Sequence, residues 1–125
     1  MGVQENISVA MSIYKNDDAV FLKVALESVI NQTLKPKEIV VVGDGPVPEP
    51  LTSAVSEEER RAKGQGIELR FLPQDVNRGL GEALRIACEN CRYDYIARMD
   101  SDDISLPYRF EKQMRVFEKH PEVGM

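Results

Sequence analysis

Four short apolar runs, each followed by polar or acidic residues and then by a stretch of helical spacing, constrain this chain more than any other feature. Ile7-Ser8-Val9-Ala10-Met11-Ser12-Ile13 is the first run, with small residues between the apolar ones. Asn16-Asp17-Asp18 follows as capping chemistry, and Phe21, Leu22, Ala25, Leu26, Val29 and Ile30 then recur on one helical face, opposite Lys23 and Glu27. Pro36 closes that unit. Glu38-Ile39-Val40-Val41-Val42 is a β-branched strand stopped by Gly43-Asp44-Gly45-Pro46.

The proline-rich stretch from Val47 reads as a loop feeding an exposed, charged helix that extends to Lys63. Ile67 to Leu72 alternates as a third strand, Gly79-Leu80-Gly81 opens a helix with Ala83, Leu84, Ile86 and Ala87, and Tyr93 to Met99 is the fourth strand. Pro107 then starts an amphipathic helix carrying Phe110, Met114 and Phe117. Strand and helix alternate four times, which predicts an α/β fold: a Rossmann-like, mostly parallel sheet with helices on both faces. With 125 residues there is room for one domain.

Ligands of such sheets bind beyond the carboxyl ends of the strands. Those ends here carry Ser12-Ile13-Tyr14, Gly43-Asp44-Gly45, Asp75-Val76-Asn77-Arg78-Gly79 and Asp100-Ser101-Asp102-Asp103. The last is the sharpest. Three carboxylates in four residues repel one another unless a cation sits among them, and hard oxygen donors without His or Cys favour Mg²⁺ or Mn²⁺ over Zn²⁺. The same residues can equally be turn and cap residues before the next helix. Tyr14 is a base-stacking platform or a rim aromatic; Asp44 is a turn residue or an acceptor for a base N–H; Arg78 pairs with a phosphate or is solvated at a helix start.

Composition and small motifs exclude other classes. The formal net charge of −5 argues against non-specific binding of nucleic acid or an anionic membrane. Cys88 and Cys91 are too few for a disulfide scaffold, and a lone CxxC with His120 the single histidine is a weak metal or redox signal. Met1 to Asn6 is polar and no apolar run reaches ~20 residues, so neither a signal peptide nor a membrane span is expected and the expected compartment is the cytoplasm. Ile104 and Ser105 break an EF-hand loop, no Walker loop is present, and Leu84 stands where the dinucleotide fingerprint needs its third glycine.

In order, Ile7–Tyr14, Leu26–Thr33, Glu38–Gly45, Asn77–Leu84 and Ala97–Asp103 closely resemble successive blocks of family-two glycosyltransferases. The resemblance covers nearly the whole chain. It implies the GT-A fold, a nucleotide-diphosphate-sugar donor with a UDP-sugar favoured, inversion at the anomeric carbon, a glycan or lipid-linked acceptor, and work on cell-surface polysaccharide in the cytoplasm or at the inner membrane face. It implies that Ser12 and Tyr14 line the nucleobase pocket, that Asp44 meets the base edge, and that Arg78 lies near the nucleotide. Asp100 and Asp102 match the DxD acids, Asp100 toward the ribose and Asp102 on a Mn²⁺ or Mg²⁺ ion, with Asp103 close behind.

Two departures stand out: Gly43 replaces the first acid of the usual pair, and Lys15 intervenes between Tyr14 and Asn16. The family's catalytic base and acceptor site are expected beyond Met125, so residues 1–125 read as the donor-binding part, truncated on its C-terminal side, with an apolar sheet edge open to self-association. A receiver domain would need its acidic pair where Tyr14 stands. A nucleotidyltransferase would open with a Gly-rich basic loop. A fragment that binds nucleotide without turnover is the remaining alternative.

Overall fold

The computed structural model describes residues 3–4 and 6–119, with side chains over residues 6–115. The elements run β1 (Val3–Gln4), β2 (Ile7–Ile13), α1 (Ala19–Ile30), β3 (Leu34–Lys35), β4 (Glu38–Gly43), α2 (Glu49–Gly64), β5 (Glu68–Pro73), α3 (Leu80–Glu89), β6 (Tyr95–Asp100) and α4 (Arg109–Lys119). Four strands form one parallel sheet in the order β5-β4-β2-β6, and β1 pairs with β3 in a separate two-stranded ribbon. The chain moves outward from β2 through β4 to β5, then returns across β2 to β6. That reversal creates a topological switch point at β2, the place where parallel α/β sheets hold ligands.

Side-chain alternation divides the interior. Ile7, Val9, Met11 and Ile13 of β2 join Ile39 and Val41 of β4, Met99 of β6 and residues of α1, α2 and α4 in the larger core. Ala10, Val40 and Val42 face the other way and pack on Ala83 and Ala87 of α3. Helices therefore cover both faces of an α/β sheet, as the alternation predicts. Every residue of β2 and β4 is buried, the pattern of central parallel strands.

Three local readings change. Phe21 does not join the core face of α1; it is 59 % exposed, while Leu22, Ala25, Leu26, Val29 and Ile30 are buried. The stretch after Pro46 is helical from Glu49, with Pro50 tolerated in the first turn where its missing N–H is not needed. That helix, α2, is not merely exposed, since Leu51, Ala54, Val55 and Ala62 bury one face. The fourth strand begins at Tyr95 and the last helix at Arg109, each two residues later than expected. The Phe117 side chain, His120 and Met125 lie outside the described residues.

Glu58 is enclosed between α1 and α2, where burial first, and then the charge of Glu27, push its carboxyl above the usual carboxylate range against the pull of Arg61 and Lys23. Arg61 Nε lies 3.2 Å from one oxygen, and neither carboxylate oxygen has a hydrogen-bond partner. A raised folded pKa means that the ionised group costs stability. The cost sets in as pH rises above ~4.3, where the unfolded carboxyl ionises, and is complete above the folded value. Glu58→Gln is therefore expected to raise stability at pH 7 by roughly 1 kcal/mol, a few degrees in Tm, with the gain vanishing below about pH 4. Thermal melts at both pH values check this; a variant that melts below wild type at pH 7 would mean that the Arg61 pair outweighs burial.

Candidate active site

The carboxyl ends of β2, β4 and β6 and the loop after β5 meet in one open cleft of about 630 Å³. Among its lining residues are Ser12 and Tyr14 from the end of β2, Asp44 after β4, Asn77, Gly79 and Leu80 before and at the start of α3, and Asp100, Ser101 and Asp102 at the end of β6. The register explains the convergence: Ser12 pairs with Val42 on one side and Asp100 on the other, so the three strand ends stand side by side. Asn16, Asp17, Asp18 and Phe21 close the cleft from the turn into α1.

Local hydrogen bonding fixes each part. The Tyr14 N–H donates to Asp17 Oδ2 at 2.9 Å and the Asp17 N–H to the Tyr14 carbonyl at 3.0 Å, which holds the tight turn after β2. Asp18 caps α1 by accepting from Val20 and Phe21 N–H at 2.8 and 3.1 Å. At the end of β6, the Asp100 N–H donates to Asp103 Oδ2 at 3.1 Å and the Asp103 N–H to the Asp100 carbonyl at 3.1 Å. Asp103 thus locks the turn that presents Asp100 and Asp102.

Asp44 is only 6 % exposed. Its carboxylate accepts from the Arg78 N–H at 2.7 Å and the Gly79 N–H at 3.1 Å, tying the end of β4 to the start of α3. Gly79, with φ +96, offers α3 no side-chain cap, and Asp44 instead holds the N–H groups of the turn that leads into the helix. Gly45, with φ +81, lets the two loops close: a Cβ there would meet the Asn77 backbone nitrogen at 2.9 Å.

The sequence-derived set is therefore gathered in large part but not entirely. Ser12, Tyr14, Asp44, Asp100 and Asp102 line the cleft. The exposed Arg78 enters the site through its backbone N–H, and its side chain does not line the cleft. Asp103 lines an adjoining groove with Ile104, Leu106, Tyr108 and Lys112, while its carboxylate still belongs to the cluster at the end of β6. The sequence places Asn77 at the ligand-binding edge without giving it a role, does not single out Leu80 as a wall residue, and puts Phe21 on the core face of its helix. Nor does it reveal the clamp behind the carboxylate turn. Gln32 is 1 % exposed; its Nε2 donates to the Ser28 and Leu106 carbonyls at 3.0 and 2.7 Å, and its Oε1 accepts from the Phe110 N–H at 3.0 Å. Ser28 Oγ accepts the Ser105 N–H at 3.0 Å. No local pattern signals this clamp, because the Gln32 partners Leu106 and Phe110 lie 74 and 78 residues away in the sequence.

The carboxylates of Asp100, Asp102 and Asp103 are exposed and offer one oxygen each within 4.8 Å of one another. Among the described residues none of the three is in an ion pair with Lys or Arg. An all-oxygen, solvent-open donor set of this kind fits Mg²⁺ or Mn²⁺, which keep coordination positions for water and phosphate.

The sequence model of the family described as "Glycosyl transferase family 2" matches residues 8–125, almost the whole chain. The chain belongs to glycosyltransferase family 2. Among its relatives, the amylovoran biosynthesis glycosyltransferase AmsE of Erwinia amylovora is 43 % identical over 93 % of this chain and 42 % of its own length. The UDP-Gal:alpha-D-GlcNAc-diphosphoundecaprenol beta-1,3-galactosyltransferase of Escherichia coli is 34 % identical over 93 % of this chain and 40 % of its own. This family-two chain thus spans about two fifths of the curated relatives it matches. The mannosyltransferase PcManGT of Pyrobaculum calidifontis, solved with GDP-Man and Mn²⁺, superposes with a TM-score of 0.76 at 18 % identity over 90 % of this chain and 32 % of that one. The fold is accordingly the GT-A type expected from the sequence. No helix among the described residues is long and apolar enough to cross a membrane.

Proposed function

We propose that residues 1–125 form the donor-binding part of a glycosyltransferase that moves a sugar from a nucleotide-diphosphate donor, a UDP-sugar by preference, to a hydroxyl of a glycan or lipid-linked acceptor with inversion. The observation that carries the reading is the cleft at the switch point, where Asp100 and Asp102 share one space with Tyr14 and Asp44. Tyr14 offers a ring face for the base and Ser12 a hydroxyl beside it. Asp44 holds the Asn77–Leu80 wall in place and keeps a lone pair on each oxygen for a base N–H. Asp100 reaches toward the ribose.

Asp102, supported by Asp100 and Asp103, would hold Mn²⁺ or Mg²⁺, and that ion supplies charge neutralisation for the diphosphate leaving group. The cleft needs such help: Asp17, Asp18, Asp44, Asp100 and Asp102 line it and no Lys or Arg does. A general base takes the acceptor's proton, and the acceptor oxygen attacks the anomeric carbon from the face opposite the diphosphate, which leaves with the electron pair of the broken C–O bond. The relatives support this reading through the UDP-Gal donor named for one and the GDP-Man and Mn²⁺ named for another.

Titration calorimetry of the chain with UDP and with GDP, each with and without Mn²⁺, tests it. Mn²⁺-dependent binding of UDP, tighter than that of GDP, is expected. Mn²⁺-dependent GDP binding that exceeds UDP would keep the donor site and change the base, and binding of neither would sink the donor-site reading.

A further inference from the structure

Apart from Tyr14, the apolar lining of the cleft comes from two helix starts on opposite faces of the sheet. Phe21 stands in the first turn of α1, which packs in the larger core, and Leu80 is the first residue of α3, which covers the other face. Both are largely exposed, Phe21 at 59 % and Leu80 at 57 %, and neither packs in a core cluster. A phenylalanine held in a helix start by the Asp18 cap, facing a cleft otherwise rich in carboxylates, gains nothing from water. A flat ring with two apolar faces is the ligand part that would cover it.

We propose that Phe21 is a second aromatic wall of the base pocket: it lines the same cleft as Tyr14 and Leu80 and offers a ring face on which the base stacks. This rests on the donor-site reading above and deepens it, since it assigns base stacking to a residue of α1. Stacking of a base on an aromatic side chain is generally worth enough that truncation to Ala costs roughly tenfold in affinity.

The test compares wild type, Phe21→Ala and Val20→Ala, each titrated in Mn²⁺ with UDP, GDP and inorganic pyrophosphate. Val20 is similarly exposed on the same helix turn and does not line the cleft. The expected result is an about tenfold loss of UDP affinity in Phe21→Ala alone, with unchanged pyrophosphate binding. UDP binding equal to wild type overturns the proposal. So does an equal loss for pyrophosphate, which would mark a distorted site. If wild type binds pyrophosphate but neither nucleotide, base recognition fails as a whole; if it binds none of the three, the donor-site reading fails first and this inference with it.

Discussion

Asp102→Ala is expected to remove the Mn²⁺-dependent part of UDP binding, a loss of at least about a hundredfold, while the thermal transition of the chain stays where it is. The two halves of that expectation have separate causes. Asp102 is exposed and makes no hydrogen bond to the turn, so truncating it leaves the fold's contacts intact and relieves repulsion from its neighbours. A nucleotide diphosphate, in contrast, would have to approach a cleft lined by five aspartates and, among the described residues, no basic side chain. Remove one donor oxygen from a three-carboxylate set and the remaining charge still repels the diphosphate, but the cation that would reverse the sign is held less well. Asp103→Ala should behave differently: it removes the carboxylate that accepts the Asp100 N–H, leaving only the backbone bond of the pair, and loosens the turn, so metal affinity falls by a smaller factor and Tm falls with it. Calorimetry with Mn²⁺ and UDP, alongside circular-dichroism melts, separates the two variants. Wild-type affinity in Asp102→Ala would take the metal away from this residue.

The second large effect lies at the opposite end of the sheet. Glu38 is fully buried at the start of β4, and its carboxylate accepts from Ser8 Oγ at 2.6 Å, the Arg92 N–H at 2.6 Å, Arg70 Nη2 at 3.0 Å and Arg92 Nε at 3.1 Å. Arg92 continues to Glu68, and the Ser8–Glu38–Glu68 row is set by the register of β2, β4 and β5. This network stitches three strands to the connection between α3 and β6. Glu38→Ala leaves the buried Ser8 hydroxyl and the Arg92 N–H without their acceptor, while the Arg70 and Arg92 side chains, 27 % and 51 % exposed, can turn to water; losing the acceptor costs about 2–3 kcal/mol. For a domain of this size that lowers Tm by roughly 6–10 °C.

The sign of the pH dependence follows from the same contacts. Burial pushes the Glu38 carboxyl up, but the bonds from Ser8, the Arg92 N–H, Arg70 and Arg92 together outweigh it and hold it below its ordinary value. The contribution is therefore present above the unfolded carboxyl pKa, ~4.3, and is lost as pH falls through the folded value. Wild type should lose stability through that acid window, and Glu38→Ala should lose less there. A variant that melts within 2–3 °C of wild type, on the order of 0.5 kcal/mol, would show that the network only decorates the sheet.

Particular residues show how much of this was readable from the chain. Strands β2, β4, β5 and β6 are legible because each is an apolar run bounded by turn chemistry, and the carboxyl-edge location of the cleft follows from their alternation with helices. The cluster Asp100, Asp102 and Asp103 is legible as a candidate site because three carboxylates in four residues repel one another, although turn and cap chemistry offers the same residues a second reason. Glu38 reads as the polar start of a strand; its burial depends on Arg70 and Arg92, which are distant in sequence and brought together only by the order β5-β4-β2. Phe21 satisfies helical spacing as well as Leu22 does, and only the rotation of α1 against the sheet decides which of the two is covered. The bond from the Arg78 amide to Asp44 joins residues 34 apart in sequence, so no local pattern announces it. The Gln32 clamp depends on where the Leu106 carbonyl arrives, which no local pattern encodes.

Every pairing in the four-stranded sheet is parallel, so none of it can begin as a hairpin. The pairing that brings Ser12 beside Asp100 joins Ile7 to Tyr95 and closes a span of roughly 90 residues, among the most entropically costly contacts in the domain. The carboxylate turn can take its place beside Tyr14 and Asp44 only after that closure. A ligand that bridges the two sides of the cleft therefore acts on the pairing of greatest sequence separation in the sheet, and its binding should retard unfolding there more than it accelerates folding.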